Sequence, residues 1–66
     1  MNRKFTVIIE QDGQAFTARC LEVDLISQGK THGAAIDNIR EAIGIYMDQN
    51  PKTKPKQVSV AVVEVP

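Results

Sequence analysis

Leu25-Ile26-Ser27-Gln28-Gly29-Lys30-Thr31-His32-Gly33-Ala34-Ala35-Ile36 is where one side-chain periodicity gives way to another. Leu25 to Gln28 reads as a short strand that ends at Gly29, a residue type used between elements where a positive φ is demanded. Beyond it, Ala35, Ile36, Ile39, Ala42, Ile43, Tyr46 and Met47 fall on one stripe at the spacing of an amphipathic helix. Thr31 stands where the helix N-cap belongs, its hydroxyl able to accept from a free backbone N–H of the first turn. Asn50-Pro51 stops the helix, because the residue before a proline is pushed out of the α region.

Upstream, Arg3 to Glu10 alternates. Phe5, Val7 and Ile9 point one way and Lys4, Thr6, Ile8 and Glu10 the other, which predicts a strand. Gln11-Asp12-Gly13-Gln14 is a polar turn holding Asp-Gly, a strong hairpin signal. Ala15 to Cys20 alternates again, with Phe16, Ala18 and Cys20 on one face, and Leu21 to Asp24 reads as a connection. Downstream, Pro51 to Lys56 is a short basic linker, and Gln57 to Val65 alternates Val58, Val60 and Val62 with Ser59, Ala61, Val63 and Val65. This predicts a final strand. The expected fold is one α+β domain over residues 1–66, in the order β-β-β-α-β. A crossover through the helix favours a parallel, right-handed return. The expected sheet is therefore four-stranded and mixed, with order 3-2-1-4 and the helix packed on one face. In that arrangement the last strand is a long apolar edge, a liability unless another chain covers it. We expect a homodimer or higher oligomer, with Val58, Val60 and Val62 on the contact strand.

The bulk composition narrows the functional classes. A chain of 66 residues builds one small core. Its single cysteine, Cys20, rules out an intrachain disulfide, and with one histidine besides, a structural zinc site made by this chain alone is not expected. No cofactor is expected either. Met1-Asn2-Arg3-Lys4 leads straight into the first strand without an apolar leader, and no window is long and apolar enough to span a bilayer. The expected location is the cytoplasm. Eight basic and eight acidic residues cancel, which argues against a domain that holds nucleic acid by bulk charge.

The segment Cys20-Leu-Glu-Val-Asp-Leu-Ile-Ser-Gln-Gly-Lys-Thr31, followed by a helix with Ala35, Asn38, Glu41 and Ala42, resembles the HicB family of antitoxins. Phe5 to Glu10 and Phe16 to Arg19 resemble that family's opening hairpin, so the likeness runs from about Phe5 to Met47. It implies a partial ribonuclease H-like fold and a non-catalytic protein that masks a small ribonuclease toxin of the HicA type. The matched positions are turn, cap and packing residues, which specify a fold better than an activity. Two departures stand out. His32-Gly33-Ala34 follows the cap where the family places acidic residues, and with Pro66 as the last residue of this sequence the family's C-terminal DNA-binding module is not expected. The resemblance is therefore to the toxin-binding half. A stand-alone homo-oligomer that has kept the fold without a toxin partner is the alternative.

The residues that could carry catalytic chemistry have plainer readings. A metal-dependent nuclease needs several carboxylates converging on two metal ions. Glu10 and Asp12 flank a turn, and Glu22 and Asp24 sit on a connection, so solvated loop carboxylates are the expectation. Cys20 is expected as a small buried strand residue rather than a nucleophile partnered by His32. Gly29-Lys30-Thr31 lacks the upstream glycine of a phosphate-binding loop. The surface candidates are acidic: Glu22 and Asp24 on the connection, and Asp37, Glu41 and Asp48 along the polar side of the helix, suited to a basic protein partner. Lys52, Lys54 and Lys56 read as a soluble linker rather than a phosphate-binding run.

Overall fold

The computed structural model describes residues 3–66; Met1 and Asn2, read above as part of a start without a leader, lie outside them. Three strands, β1 (Val7–Asp12), β2 (Ala15–Cys20) and β3 (Leu25–Gly29), form an antiparallel meander in the order β1-β2-β3. One helix, α1 (His32–Gln49), follows and lies across one face of the sheet.

The first hairpin is tighter than the expected four-residue turn. Asp12 still pairs with Ala15, and the loop is Gly13-Gln14 alone. Gly13 has φ +64° and Gln14 does not share that sign, the pattern of a two-residue turn with glycine first, whose twist matches that of the flanking strands. The register sets Val7 against Cys20 and Ile9 against Ala18, and Cys20 in turn against Leu25. The inward side chains of three strands are thereby stacked in rows beneath the helix.

Ala18, Cys20, Val23, Ala35, Ile39 and Ile43 are buried and form the core. Phe5, Val7, Ile9, Phe16, Leu25, Tyr46 and Met47 pack around it half-exposed. Thr31 caps α1 as expected: its Oγ1 accepts from the Ala34 amide at 3.0 Å. At the other end the Asn50 amide and side chain both donate to the Tyr46 carbonyl at 2.9 Å, closing the helix before Pro51. Gly29 has a different reason from the one expected, because its φ is not positive. A Cβ there would stand 2.7 Å from the carbonyl carbon of Ala34 and strike the amide nitrogen of Ala35. The glycine lets the helix start lie directly on the end of β3, and Asn38 adds a tie by donating to the Gln28 carbonyl at 2.7 Å.

The expected fourth strand is absent from this sheet, so the order 3-2-1-4 and the β-β-β-α-β plan are corrected to three strands and β-β-β-α. Gln57 to Pro66 runs without strand pairing, and Val60, Val62, Val63 and Val65 are exposed. The physical reason lies at Lys56. Its amide donates to the Glu22 carbonyl at 3.0 Å and its ammonium sits 3.4 Å from the Asp24 carboxylate. These contacts hold the chain at the β2–β3 connection, from which the valine segment departs without meeting β1. Alternation reports that a segment suits a sheet; it does not say which strand lies beside it.

Candidate protein-docking groove

The helix is not centred on the sheet. It packs mostly over β3 and β2 and only lightly over β1. Small residues on that side, Ala18 and Ala35, both fully buried, draw the layers together. On the β1 side larger residues keep them apart, and a groove of about 490 Å³ opens between strand and helix. Phe5, Val7 and Ile9 make one wall and Ile36, Ile39 and Ile43 the other, while Arg3, His32 and Arg40 stand around the mouth. The lining contains no acidic residue. Above it, β1 has β2 on one side and no strand on the other among the described residues. Backbone donors and acceptors along that outer edge therefore face away from any ladder.

The five acidic residues singled out from sequence have separate fates. Glu22 is a structural clamp. Its Oε1 accepts from the Thr6 amide and its Oε2 from the Thr6 hydroxyl, both at 2.7 Å, with the Cys20 thiol 3.8 Å from Oε1. The Thr6 hydroxyl is the main cause that holds the Glu22 carboxyl below its ordinary value of 4.5; partial burial opposes it, and the Thr6 amide adds to the lowering. With the Leu21 amide bonded to the Thr6 carbonyl at 3.0 Å, this clamp joins the entry to β1 to the β2–β3 connection. Asp24 is exposed and pairs with Lys56, and Asp37 pairs with Arg40 at 3.1 Å, both in surface contacts of small energetic weight. Glu41 and Asp48 are exposed, and helical spacing sets them on the same face as Asp37.

Glu10 is bound to Arg19 at 3.2 Å across the β1–β2 pair, apart from the Glu22 clamp. Among the described residues no three Asp, Glu, His or Cys side chains are grouped so as to hold a metal ion. Cys20 is buried as expected, and His32 rests edge-on against Phe16 with ring centroids 6.2 Å apart. Of the expected contact strand, Val58 is half-buried while Val60 and Val62 are 66% and 97% exposed. Sequence reasoning missed Val23, buried inside what reads as a polar connection, and missed the Thr6–Glu22 clamp altogether. Neither left a local signal, since the clamp joins residues 16 apart. The groove was missed as well, because the expected fourth strand would have filled it.

Comparison with known protein families, characterised proteins and solved structures found no match to this chain. Among the described residues no helix is long and apolar enough to cross a membrane.

Proposed function

We propose that this chain is a non-catalytic protein-binding module, antitoxin-like, that docks extended protein segments along the open β1 edge. The observation that carries the reading is the combination of an unpaired strand edge with an apolar groove directly beside it. A strand edge supplies main-chain hydrogen bonds to an incoming segment, and pockets beside it select alternate side chains. The resemblance to HicB antitoxins makes a small basic ribonuclease of the HicA type the partner class. The exposed face carrying Asp37, Glu41 and Asp48 offers such a partner opposite charge, and charges of this kind act mainly on association rate and selectivity.

The test is co-expression with a HicA-like protein encoded beside the gene. Relief of toxicity together with a stoichiometric complex is the expected result, and Asp37→Lys/Glu41→Lys should slow its formation. A toxin that still kills and does not co-purify would overturn the antitoxin role. The second reading, a stand-alone homo-oligomer, is favoured by one specific observation: the run of exposed valines in residues 57–65.

A further inference from the structure

We propose that the groove beside β1 is filled by residues 57–65 of a second copy of this chain, and that two copies exchange these segments reciprocally. The inference rests on reading the groove as a protein-docking surface and names its occupant; a copy seated there takes the place of another partner at β1 and leaves a basic partner the exposed face of Asp37, Glu41 and Asp48.

Three observations select that occupant. The first is shape. The Cα radius of gyration is 13.2 Å, with principal extents of 42 × 30 × 18 Å. A compact chain of this length would have a radius of about 11 Å. Lys56 is held at the β2–β3 connection by Glu22 and Asp24, and beyond the half-buried Val58 every residue of the segment is exposed.

The second is pattern. Gln57 to Val65 contains no proline, so every residue keeps an amide for a ladder. Its side chains alternate with period two, placing Val58, Val60 and Val62 on one face. That face suits the apolar walls made by Val7, Ile9 and Ile36. The six-residue β1, extended by Phe5 and Thr6, is matched in length by the nine residues of the segment.

The third is charge. Arg3 and Arg40 stand at the groove mouth, Arg40 already paired with Asp37 at 3.1 Å, and the lining itself holds no acidic residue. The only charged side chain between Gln57 and Val65 is Glu64. A segment that is apolar but for one carboxylate complements a groove that is apolar but for a basic rim.

Reciprocal exchange gives an isologous dimer with two identical contacts, which closes on itself and leaves no free groove to recruit further copies. It also covers the exposed β1 edge and the exposed Val60 and Val62 at once, surfaces that single chains ordinarily protect.

The experiment is sedimentation equilibrium of the full-length chain across a concentration series. The wild type is expected at twice the chain mass. Val60→Asp/Val62→Asp, which alters only exposed tail positions, and Ile36→Asp, which alters only the groove, are each expected at the chain mass. Mixing the two variants should restore a heterodimer, through one intact tail in one intact groove. A wild type that stays at the chain mass throughout overturns the inference. So does a tail variant that still dimerises. If that tail variant dimerises while Ile36→Asp does not, the groove docks some other segment, so the inference fails while the docking reading survives. If Ile36→Asp does not fold, isotope-filtered NOEs in a mixture of labelled and unlabelled wild type decide instead. Contacts from the Val60 and Val62 methyls of one copy to Val7 and Ile9 of the other support the exchange, and contacts confined to one copy overturn it.

Discussion

The two flanks of the sheet are finished in opposite ways. At β3 the helix start sits on the strand end, with Gly29 cleared of side chain, Asn38 tied to the Gln28 carbonyl, and Ala35 fully buried. At β1 the helix stands off, Phe5, Val7 and Ile9 remain half-exposed, and the outer strand edge has no neighbour. The sheet is the same and the helix is the same. What differs is side-chain volume between the layers: alanine and glycine on one flank, isoleucine and phenylalanine on the other. A domain this small buries only about 60% of the surface its unfolded chain exposes. Packing is closest on one flank, and the other keeps an unpaired strand edge beside an apolar groove.

The largest test of that asymmetry is to remove side chains from the buried base of the groove and from its open wall in turn. Ile39→Ala, at a position 1% exposed, should cost about 2–5 kcal/mol. That is most of the stability a small domain has, so the urea midpoint should collapse. Ile36→Ala, on the half-exposed groove wall, should cost clearly less when measured at low protein concentration. Equal losses at the two positions would mean that the groove wall is packed as tightly as the core beneath it. Gly29→Ala comes next in size. It adds only a methyl group, but that methyl meets helix backbone, which has no flexible end to move aside. Overpacking of this kind costs about 1–3 kcal/mol. Gly33→Ala, where the added methyl meets nothing, supplies the control.

The tight flank was largely legible in the sequence, and the open one was not. The hairpin, the Thr31 cap, the helix stripe and the Asn50-Pro51 stop are each written within a few residues, in periodicity or in a cap that uses its own side chain. Gly29 was legible as special but for another reason, since only the assembled layers show that its missing Cβ is a matter of clearance. The tail displays the limit most clearly. Its alternation is as regular as that of β1, yet the contacts that hold Lys56 at Glu22 and Asp24 decide where it goes, and those join residues more than thirty positions apart. The acidic residues divide likewise. Asp37, Glu41 and Asp48 were recognisable as an exposed helix face, whereas Glu22 looked the same in sequence and is committed to Thr6.

That commitment can be isolated by pH. A carboxyl whose value is lowered in the folded state stabilises the fold fully above its unfolded value and loses that contribution as pH falls through the folded value. For Glu22 the upper bound is the ordinary value of 4.5, so its stabilisation should be complete at neutral pH and fade in more acidic solution. Glu22→Gln should therefore lower the Tm at pH 7, and its Tm should converge on that of the wild type below pH 4.5. Asp24→Asn, at an exposed pair, should produce a smaller change at pH 7. A Glu22→Gln difference that held constant into acid would assign the clamp to shape rather than charge.

The smallest effect is the most informative about the open flank. Val62 is 97% exposed, so in an isolated chain it has almost no contacts to lose. Surface substitutions of that kind change stability by within about 0.5 kcal/mol. Val62→Ala should match the wild type when melting is followed at low protein concentration. As concentration rises, a chain that associates only when folded gains stability by mass action, and its Tm climbs. The wild type should show that climb, and Val62→Ala should show less of it, because the removed methyls belong to the contact between copies rather than to the fold. Two parallel Tm curves would return Val62 to the status of an ordinary exposed valine. Divergence with concentration would locate its worth outside the chain that carries it.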